Sequence, residues 1–385
     1  MNMNNISNNR GIYIIFSGDI AILDNNSSNE NNFIELSHDV KKLLTNSDLH
    51  ISNIEAPLTF SKTKIIKTGP HIKSNPQNTR ILKDLNINIA CLSNNHIRDY
   101  HDQGVKETIE ILNKNDISTV GAGKDIYDAA KPLIRNIQGK KICIFNFSED
   151  EFNTADKDKA GSNSDNPINI WYSISKIINK VDLIYVVMHG GKEMFKFPTP
   201  NQIRLYRFII DLGVDGVFGH HTHVIGNYEI YKGKPILYSL GNLIFNEKNN
   251  SEEWYEGIIA QLNLNHSLDY DLIFYKTKYN KNTLEITDSV NVSDINKNSS
   301  NNKFIKRLDE KVANDEWQKL CKSSSLKASV NLLNYSLLER ILLKIGLKRI
   351  NSKEKRKLLM ISDLLKCRTN REFTLEALKK YLIEK

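Results

Sequence analysis

The chain has 385 residues, 40% of them hydrophobic, which is enough to bury a sizeable core and argues against a disordered chain. Its four cysteines, Cys91, Cys143, Cys321 and Cys367, lie far apart without a CxxC pair, so they read as core thiols, and nothing demands an oxidising compartment. The net charge of +8 is unevenly spread: from Lys303 to Lys385 there are 21 Lys and Arg against 10 Asp and Glu, which leaves residues 1–302 at −3.

In chain order, seven short apolar runs predict strands: Ile12–Phe16, Leu49–Ile54, Ile87–Leu92, Lys141–Phe147, Leu183–Met188, Gly213–Phe218 and Pro235–Leu240. Most are apolar throughout, as expected of strands covered on both faces. Helix candidates lie between them. Asn75-Pro76 and Thr199-Pro200 each place a capping side chain before a proline suited to the first helical position. Ile203, Leu205, Phe208, Ile209 and Leu212 then form an apolar face, and Gly104–Leu112 predicts a further helix. This alternation predicts an α/β fold.

Beyond Phe245 the pattern changes to Trp254–Leu264, Tyr270–Tyr279 and Thr283–Thr287, read as successive antiparallel strands. The Asn- and Ser-rich residues 288–302 read as a linker between a domain at 11–287 and a basic helical region at 303–385. Within that region Leu332, Leu333, Leu337, Leu338, Ile341, Leu342 and Ile345 keep helical spacing and stop at Gly346. No apolar run approaches the roughly 20 residues that span a bilayer. No secretory signal is visible, so a cytoplasmic location is expected, with the basic tail able to meet an anionic membrane surface.

The chemistry-bearing residues fall at the strand ends. Asp19, Glu55, Asn94-Asn95-His96, His189, His220-His221-Thr222-His223 and Ser239-Leu240-Gly241-Asn242 each follow a predicted strand. In open α/β sheets ligands bind beyond the carboxyl ends of the strands, so these positions are expected to converge. Each has a bland reading alone: Asp19 as a cap, Asn94-Asn95 as a turn, His189 as a satisfied core histidine. Coincidence at six strand ends favours one shared site. Carboxylate, amide and imidazole together argue against a cysteine-type structural zinc site. They suit two divalent ions, Mn, Fe, Zn, Co or Mg, roughly 3.5–4 Å apart, sharing a bridging carboxylate and holding a hydroxide nucleophile. His96, next to a ligand amide, is placed to protonate a leaving group or bind an oxyanion.

Gly18-Asp19, Asn53-Ile54-Glu55, Ser93-Asn94-Asn95-His96, His189-Gly190-Gly191-Lys192-Glu193, Gly219-His220-His221-Thr222-His223 and Tyr238-Ser239-Leu240-Gly241-Asn242 occur in that order. Over roughly residues 11–248 they resemble the CapA family, the bacterial capsule-synthesis proteins linked to poly-γ-glutamate, which is similar to the calcineurin-like metallophosphoesterases. The resemblance implies a metallophosphoesterase-like four-layer α/β/β/α sandwich, here with a C-terminal helical extension. It implies Asp19, Glu55, Asn95, His189, His221 and His223 as metal residues, with Glu55 in the bridging place, and His96 beside the leaving group. His220 is kept as a catalytic residue or a reserve ligand, while Glu193 and Asn242 are motif positions without an assigned role. Three departures stand out: Thr222 where the family usually has proline, Gly190 where it has an aromatic residue, and Ala21 where phosphoesterases carry the histidine of Asp-x-His.

The function expected is a metal-dependent hydrolase of capsule or other surface-polymer production, acting on a phosphoester or on an amide or ester bond of the polymer. The alternative is a non-catalytic accessory factor that meets a polymer-synthase complex or a membrane surface through 303–385. The basic tail permits a nucleic-acid partner, but its sparse aromatic residues weaken any base-stacking model, so nucleic acid is not expected.

Overall fold

The computed structural model describes residues 10–23, 33–280, 282–297, 304–323, 356, 359–361, 363–364 and 366–383. The strands are, in order, β1 (Ile12–Ala21), β2 (Glu35–Leu36), β3 (Leu49–Ile54), β4 (Ile89–Cys91), β5 (Ser118–Val120) and β6 (Ala122–Gly123). There follow β7 (Leu133–Ile137), β8 (Lys140–Ser148), β9 (Gly161–Ser162), β10 (Leu183–His189), β11 (Gly216–His220) and β12 (Tyr228–Tyr231). The last are β13 (Lys234–Leu237), β14 (Asn242–Phe245), β15 (Glu256–Leu264), β16 (Tyr270–Asn280) and β17 (Thr283–Asn291).

A nine-stranded sheet runs in the order β2-β17-β16-β15-β1-β3-β4-β5, with β14 also paired to β1. A six-stranded sheet runs β12-β13-β11-β10-β8-β7. The strands predicted as apolar runs pair in parallel in both sheets: β1, β3 and β4 in one, β8, β10, β11 and β13 in the other, while β5, which carried no prediction, extends the first beyond β4. The expected antiparallel set is present as β15-β16-β17.

Alternate faces of each strand enter different cores, which is how the period-2 geometry builds layers. Ile14, Phe16 and Ile51 of the larger sheet meet Ile144, Tyr185 and Phe218 of the smaller in one buried cluster. The Phe16 and Phe218 rings stack there with centroids 3.6 Å apart. The opposite face of the larger sheet, through Ile15 and Ala90, packs Val40, Leu82 and Leu112 of the helices His38–Thr45, Thr79–Asp84 and His101–Lys114. The outer face of the smaller sheet, through Phe145, Ile184 and Val186, packs Ile170, Ile203 and Ile209 of the helices Pro167–Ser175 and Pro200–Asp211. The result is the four-layer α/β/β/α sandwich.

Local signals explain several boundaries. Thr199 accepts from the Gln202 N–H at 3.2 Å while the Gln202 side chain accepts from the Thr199 N–H, a capping box that starts Pro200–Asp211. Asn75-Pro76 opens only a 3-10 turn, Pro76–Asn78, before the helix Thr79–Asp84. The strand predicted at Gly213–Phe218 instead runs Gly216–His220, because Gly213 sits at a left-handed backbone position (φ 96°) that closes the preceding helix.

Residues 288–302, expected as a linker, begin with the end of β17 at Asn291 and continue as the helix Val292–Lys297. β17 pairs antiparallel with β16 as far as Asn291, which holds that polar stretch in the sheet despite its composition. After it, the Leu308 N–H donates to the Tyr228 carbonyl at 2.7 Å, and Ile305 is buried in the core between the sheets. The described residues of the basic region include the helices Glu310–Ser323 and Arg368–Ile383, with further helical residues at 356, 359–361, 363–364 and 366. The apolar stripe from Leu332 to Ile345 lies outside them. No helix among the described residues is long and apolar enough to cross a membrane.

Candidate metal centre

The strand-end residues do converge. Asp19, expected just after the first strand, lies inside β1 at a register shift where the strand changes partner from β15 to β14. The bend needs Gly18, since a Cβ there would lie 2.4 Å from the Gly241 carbonyl oxygen. Glu55 follows β3, Asn94 to His96 follow β4, His189 ends β10 and His220 ends β11. His221 and His223 both take left-handed backbone conformations, with φ of 89° and 59°. That unfavourable geometry for side-chain-bearing residues turns both rings back toward the strand ends.

Two groups of donors share one carboxylate. Asp19, Glu55 and His223 form one triplet of potential ligands and Glu55, His189 and His221 a second, each with its ligand atoms within 4.8 Å of one another. A third group, Glu193 with His221 and His223, places exposed Glu193 at the outer side. On the second triplet, His189 Nε2 lies 3.1 Å from Asn95 Oδ1 and 3.2 Å from His221 Nδ1. A single N–H can serve only one of those partners. The spacings match those between neighbouring ligands of one ion bound at about 2.1 Å.

Glu55 provides the sharpest test of fit. It is wholly buried, and neither carboxylate oxygen has a hydrogen-bond partner. Burial, and then the charges of Asp19, Glu193 and Asp99, hold its carboxyl well above the ordinary range. A buried carboxylate at the shared corner of two donor groups, with both oxygens free, is what bridging divalent cations would satisfy. The residues present therefore fit such ions.

Asp19 is held in the opposite state. Burial alone would raise its carboxyl, but His220, His189 and His223 together hold it far below the usual carboxylate range. Its Oδ1 accepts from Asn53 Nδ2 at 2.8 Å and contacts His220 Nδ1 at 2.8 Å, and its Oδ2 accepts from the His221 N–H at 3.0 Å. Burial first, then His221, depresses His189 well below the ordinary imidazole value, leaving it neutral and available as a ligand.

His96 stands beside this centre. Its Nε2 lies 3.9 Å from Glu55 Oε1, and its Nδ1 lies 2.8 Å from Asp99 Oδ2. Lys67, 4% exposed at its side chain, pairs with Asp99 and approaches His96 Nδ1 at 3.3 Å. Burial and then the Lys67 charge lower His96. His220 belongs to none of the three candidate groups; its ring is committed to Asp19.

Several contributors carried no sequence assignment. Asn53 Nδ2 touches both Asp19 Oδ1 and, at 3.3 Å, His189 Nδ1, and Asn94 Nδ2 donates to Asn53 Oδ1 at 3.2 Å. Of the asparagine pair, Asn95 faces the ligands and Asn94 braces the strand ends. Asn242 Oδ1 accepts from His223 Nδ1 at 3.0 Å and fixes that ring, which also packs on Trp254 at 4.7 Å. Lys67 and Asp99 had no visible signal beyond Asp99 lying three residues after His96. Ala21 is buried and apolar, so the Asp19 group has no ligand from that position.

A family model described as "Bacterial capsule synthesis protein PGA_cap" matches residues 13–247. The capsule biosynthesis protein CapA of Bacillus anthracis is 32% identical over 218 residues, 54% of this chain and 53% of that protein. The PGA biosynthesis protein CapA of Bacillus subtilis (strain 168) is 32% identical over 212 residues, 54% of this chain and 56% of that protein. The chain thus spans about half the length of the curated relatives it matches. Among solved structures, the calcineurin-like phosphoesterase YfkN from Bacillus subtilis aligns with 73% of this chain and 90% of that one, at 13% identity and a TM-score of 0.38. The family match takes in β1 through β14 with every residue of the two Glu55-sharing groups, and the chain belongs to the bacterial capsule synthesis protein PGA_cap family.

Proposed function

We propose that this chain is a divalent-metal-dependent hydrolase of capsule or surface-polymer production, poly-γ-glutamate or polysaccharide, cutting a phosphoester or a polymer amide or ester bond. The observation that carries the reading is the Glu55 carboxylate, buried without a hydrogen bond and shared by two donor groups. Asp19, Glu55 and His223 would hold one ion, and Glu55, Asn95, His189 and His221 the other. Bound there, divalent ions would supply Lewis-acid polarisation of the scissile group and activation of water.

The chain's own residues would do the rest. His96, aimed by Asp99 through Nδ1, is placed so that its imidazolium form would give a proton to the leaving group from Nε2. Asn53 orients Asp19 and His189, and Asn242 orients His223. His220, offered by the sequence as a catalytic residue or reserve ligand, is read as a positioning residue, since its Nδ1 is taken up by Asp19. Exposed Glu193 is read as an outer contact for substrate or metal.

A second reading, a non-catalytic accessory factor, is favoured by Ala21, which leaves the Asp19 group one ligand short of the phosphoesterase pattern. The basic surplus of 303–385 would then meet an acidic partner or the inner membrane surface. The deciding experiment measures metal content, and hydrolysis of p-nitrophenyl phosphate, bis-p-nitrophenyl phosphate and γ-linked glutamyl peptides with Mn, Fe, Co, Zn or Mg. The hydrolase reading expects turnover that His221→Ala with His223→Ala abolishes along with bound metal. A metal-free chain, inert on every substrate with every ion, would reject it.

A further inference from the structure

The C-terminal segment reaches the candidate centre through Glu149. The Glu149 N–H donates to the His189 carbonyl at 3.0 Å, so this residue sits directly beside the strand end that carries His189. Its side chain fills the room left by Gly190, where an added Cβ would lie 2.6 Å from Glu149 Cγ. The Glu149 carboxylate is buried, and its donors come from more than 200 residues away: Thr369 Oγ1 at 2.5 Å, Cys367 Sγ at 3.0 Å and the Thr369 N–H at 3.3 Å. Arg368, between them, pairs with Asp165.

The same segment also grips the far end of the loop after His189. The Phe373 ring packs on buried Trp317 at 5.7 Å, and Trp317 packs on Phe195 at 5.9 Å. Lys192 Nζ lies over the Phe373 ring at 5.7 Å. Residues 190–195 are thus held at one end by Glu149 and at the other by a cluster of tilted and edge-on aromatic rings, and between these ends lies Glu193. The helix Pro200–Asp211 adds a third hold, with Gln202 Nε2 donating to the Gly190 carbonyl at 3.0 Å.

We propose that residues 367–373 are a latch on the metal centre, with Thr369 as its positioning residue: by satisfying the Glu149 carboxylate they fix the end of β10 that carries His189 and the following loop that carries Glu193. A buried carboxylate whose donors are withdrawn must move, take up a proton or recruit water, and each outcome disturbs the packing beside Gly190. The part of this inference that concerns metal rests on the proposed two-ion reading, whereas the ordering of the loop does not.

The test compares the full chain with Thr369→Val, Thr369→Ser, Cys367→Ala and, as a control on the same helix, exposed Leu375→Ala. Hydrogen exchange of residues 189–195 is the first readout. Cobalt(II) affinity and stoichiometry form the second. The latch predicts that Thr369→Val speeds exchange in the loop about tenfold and weakens cobalt binding about tenfold, the usual scale for losing a partner of a ligand-bearing element. Thr369→Ser restores both, Cys367→Ala gives a smaller change in the same direction, and Leu375→Ala changes neither. A lower melting temperature in Thr369→Val with loop exchange and cobalt binding as in the parent would overturn the latch. If the parent chain binds no cobalt, the two-ion reading fails and loop exchange alone decides: faster exchange in Thr369→Val upholds the latch, unchanged exchange refutes it. Should Thr369→Val not fold, the same criteria apply to Cys367→Ala.

Discussion

Glu55→Gln keeps the shape of the shared corner and removes its charge. In the metal-free chain Glu55 is wholly buried with both oxygens unpartnered, and burial, Asp19, Glu193 and Asp99 raise its carboxyl well above the ordinary range, against a smaller opposing effect of Lys67. An unfolded glutamate ionises near pH ~4.3. Between that value and the raised native one, the folded chain holds more protons than the unfolded chain, so stability falls as pH rises. The substitution removes this loss. The gain at pH 8 without metal is about 1–3 kcal/mol, the scale of a buried polar group left unpaired. At about 1 °C per kcal/mol for a chain of this length this raises the melting temperature by about 1–3 °C. With Mn(II) the gap narrows. The parent gains about 2.7 kcal/mol at a hundredfold excess over the dissociation constant, and the substituted chain, which offers a neutral amide in place of the bridging carboxylate, gains less than half of that. Calorimetric melts of both chains at pH 5 and pH 8, in EDTA and in Mn(II), check all of this. A substituted chain that melts lower than the parent in EDTA at pH 8, or that gains equally from Mn(II), would refute the reasoning.

Asp99→Asn leaves the contact to His96 but removes its charge, so turnover should drop about 10–100-fold with metal content unchanged; loss of metal instead would make Asp99 part of the ion-binding set. His220→Ala should cost about 1–3 kcal/mol, by withdrawing a partner from buried Asp19, while the ion at His189 and His221 stays bound; loss of that ion on metal analysis would show His220 to be a ligand. Buried His50 contacts Ser17 Oγ and the Leu85 carbonyl at 2.8 Å each, and burial pushes it down to about 4. Because the unfolded imidazole protonates near ~6.5, the folded chain should lose about 3 kcal/mol as pH falls from 6.5 to 4. Urea melts across that window should show this slope, with His50→Gln lacking it.

Seven parallel strands, β1, β3, β4, β8, β10, β11 and β13, were legible as short apolar runs, and their carboxyl ends pointed to Asp19, Glu55, His189, His221 and His223 as candidates, whereas the short β2, β5 and β14 carried no such signal. What escaped the sequence depends on tertiary neighbours. The bulge at Asp19 is set by the approach of Gly241, more than two hundred residues on. Asn94 reads as a turn residue and Asn53 as a strand position without a role until β3 and β4 pair and set their amides against Asp19 and each other. Lys67 sits in a basic loop that gives no hint of burial, and only the fold brings it to Asp99. His220 is chemically equal to its neighbours in sequence, and its different partner follows from its place as the last residue of β11, before the backbone turns at His221. The Asn- and Ser-rich end of β17 shows the reverse error, since composition predicted a break where pairing to β16 supplies the backbone hydrogen bonds.

The central claim is that Glu55 bridges two ions. Anomalous diffraction from Mn(II)-soaked crystals of the full chain tests it most directly. The account predicts two manganese peaks flanking the Glu55 carboxylate, one against Asp19 and His223 and the other against His189 and His221. A saturated crystal with no peak at Glu55, or with a lone ion bound elsewhere, would contradict it.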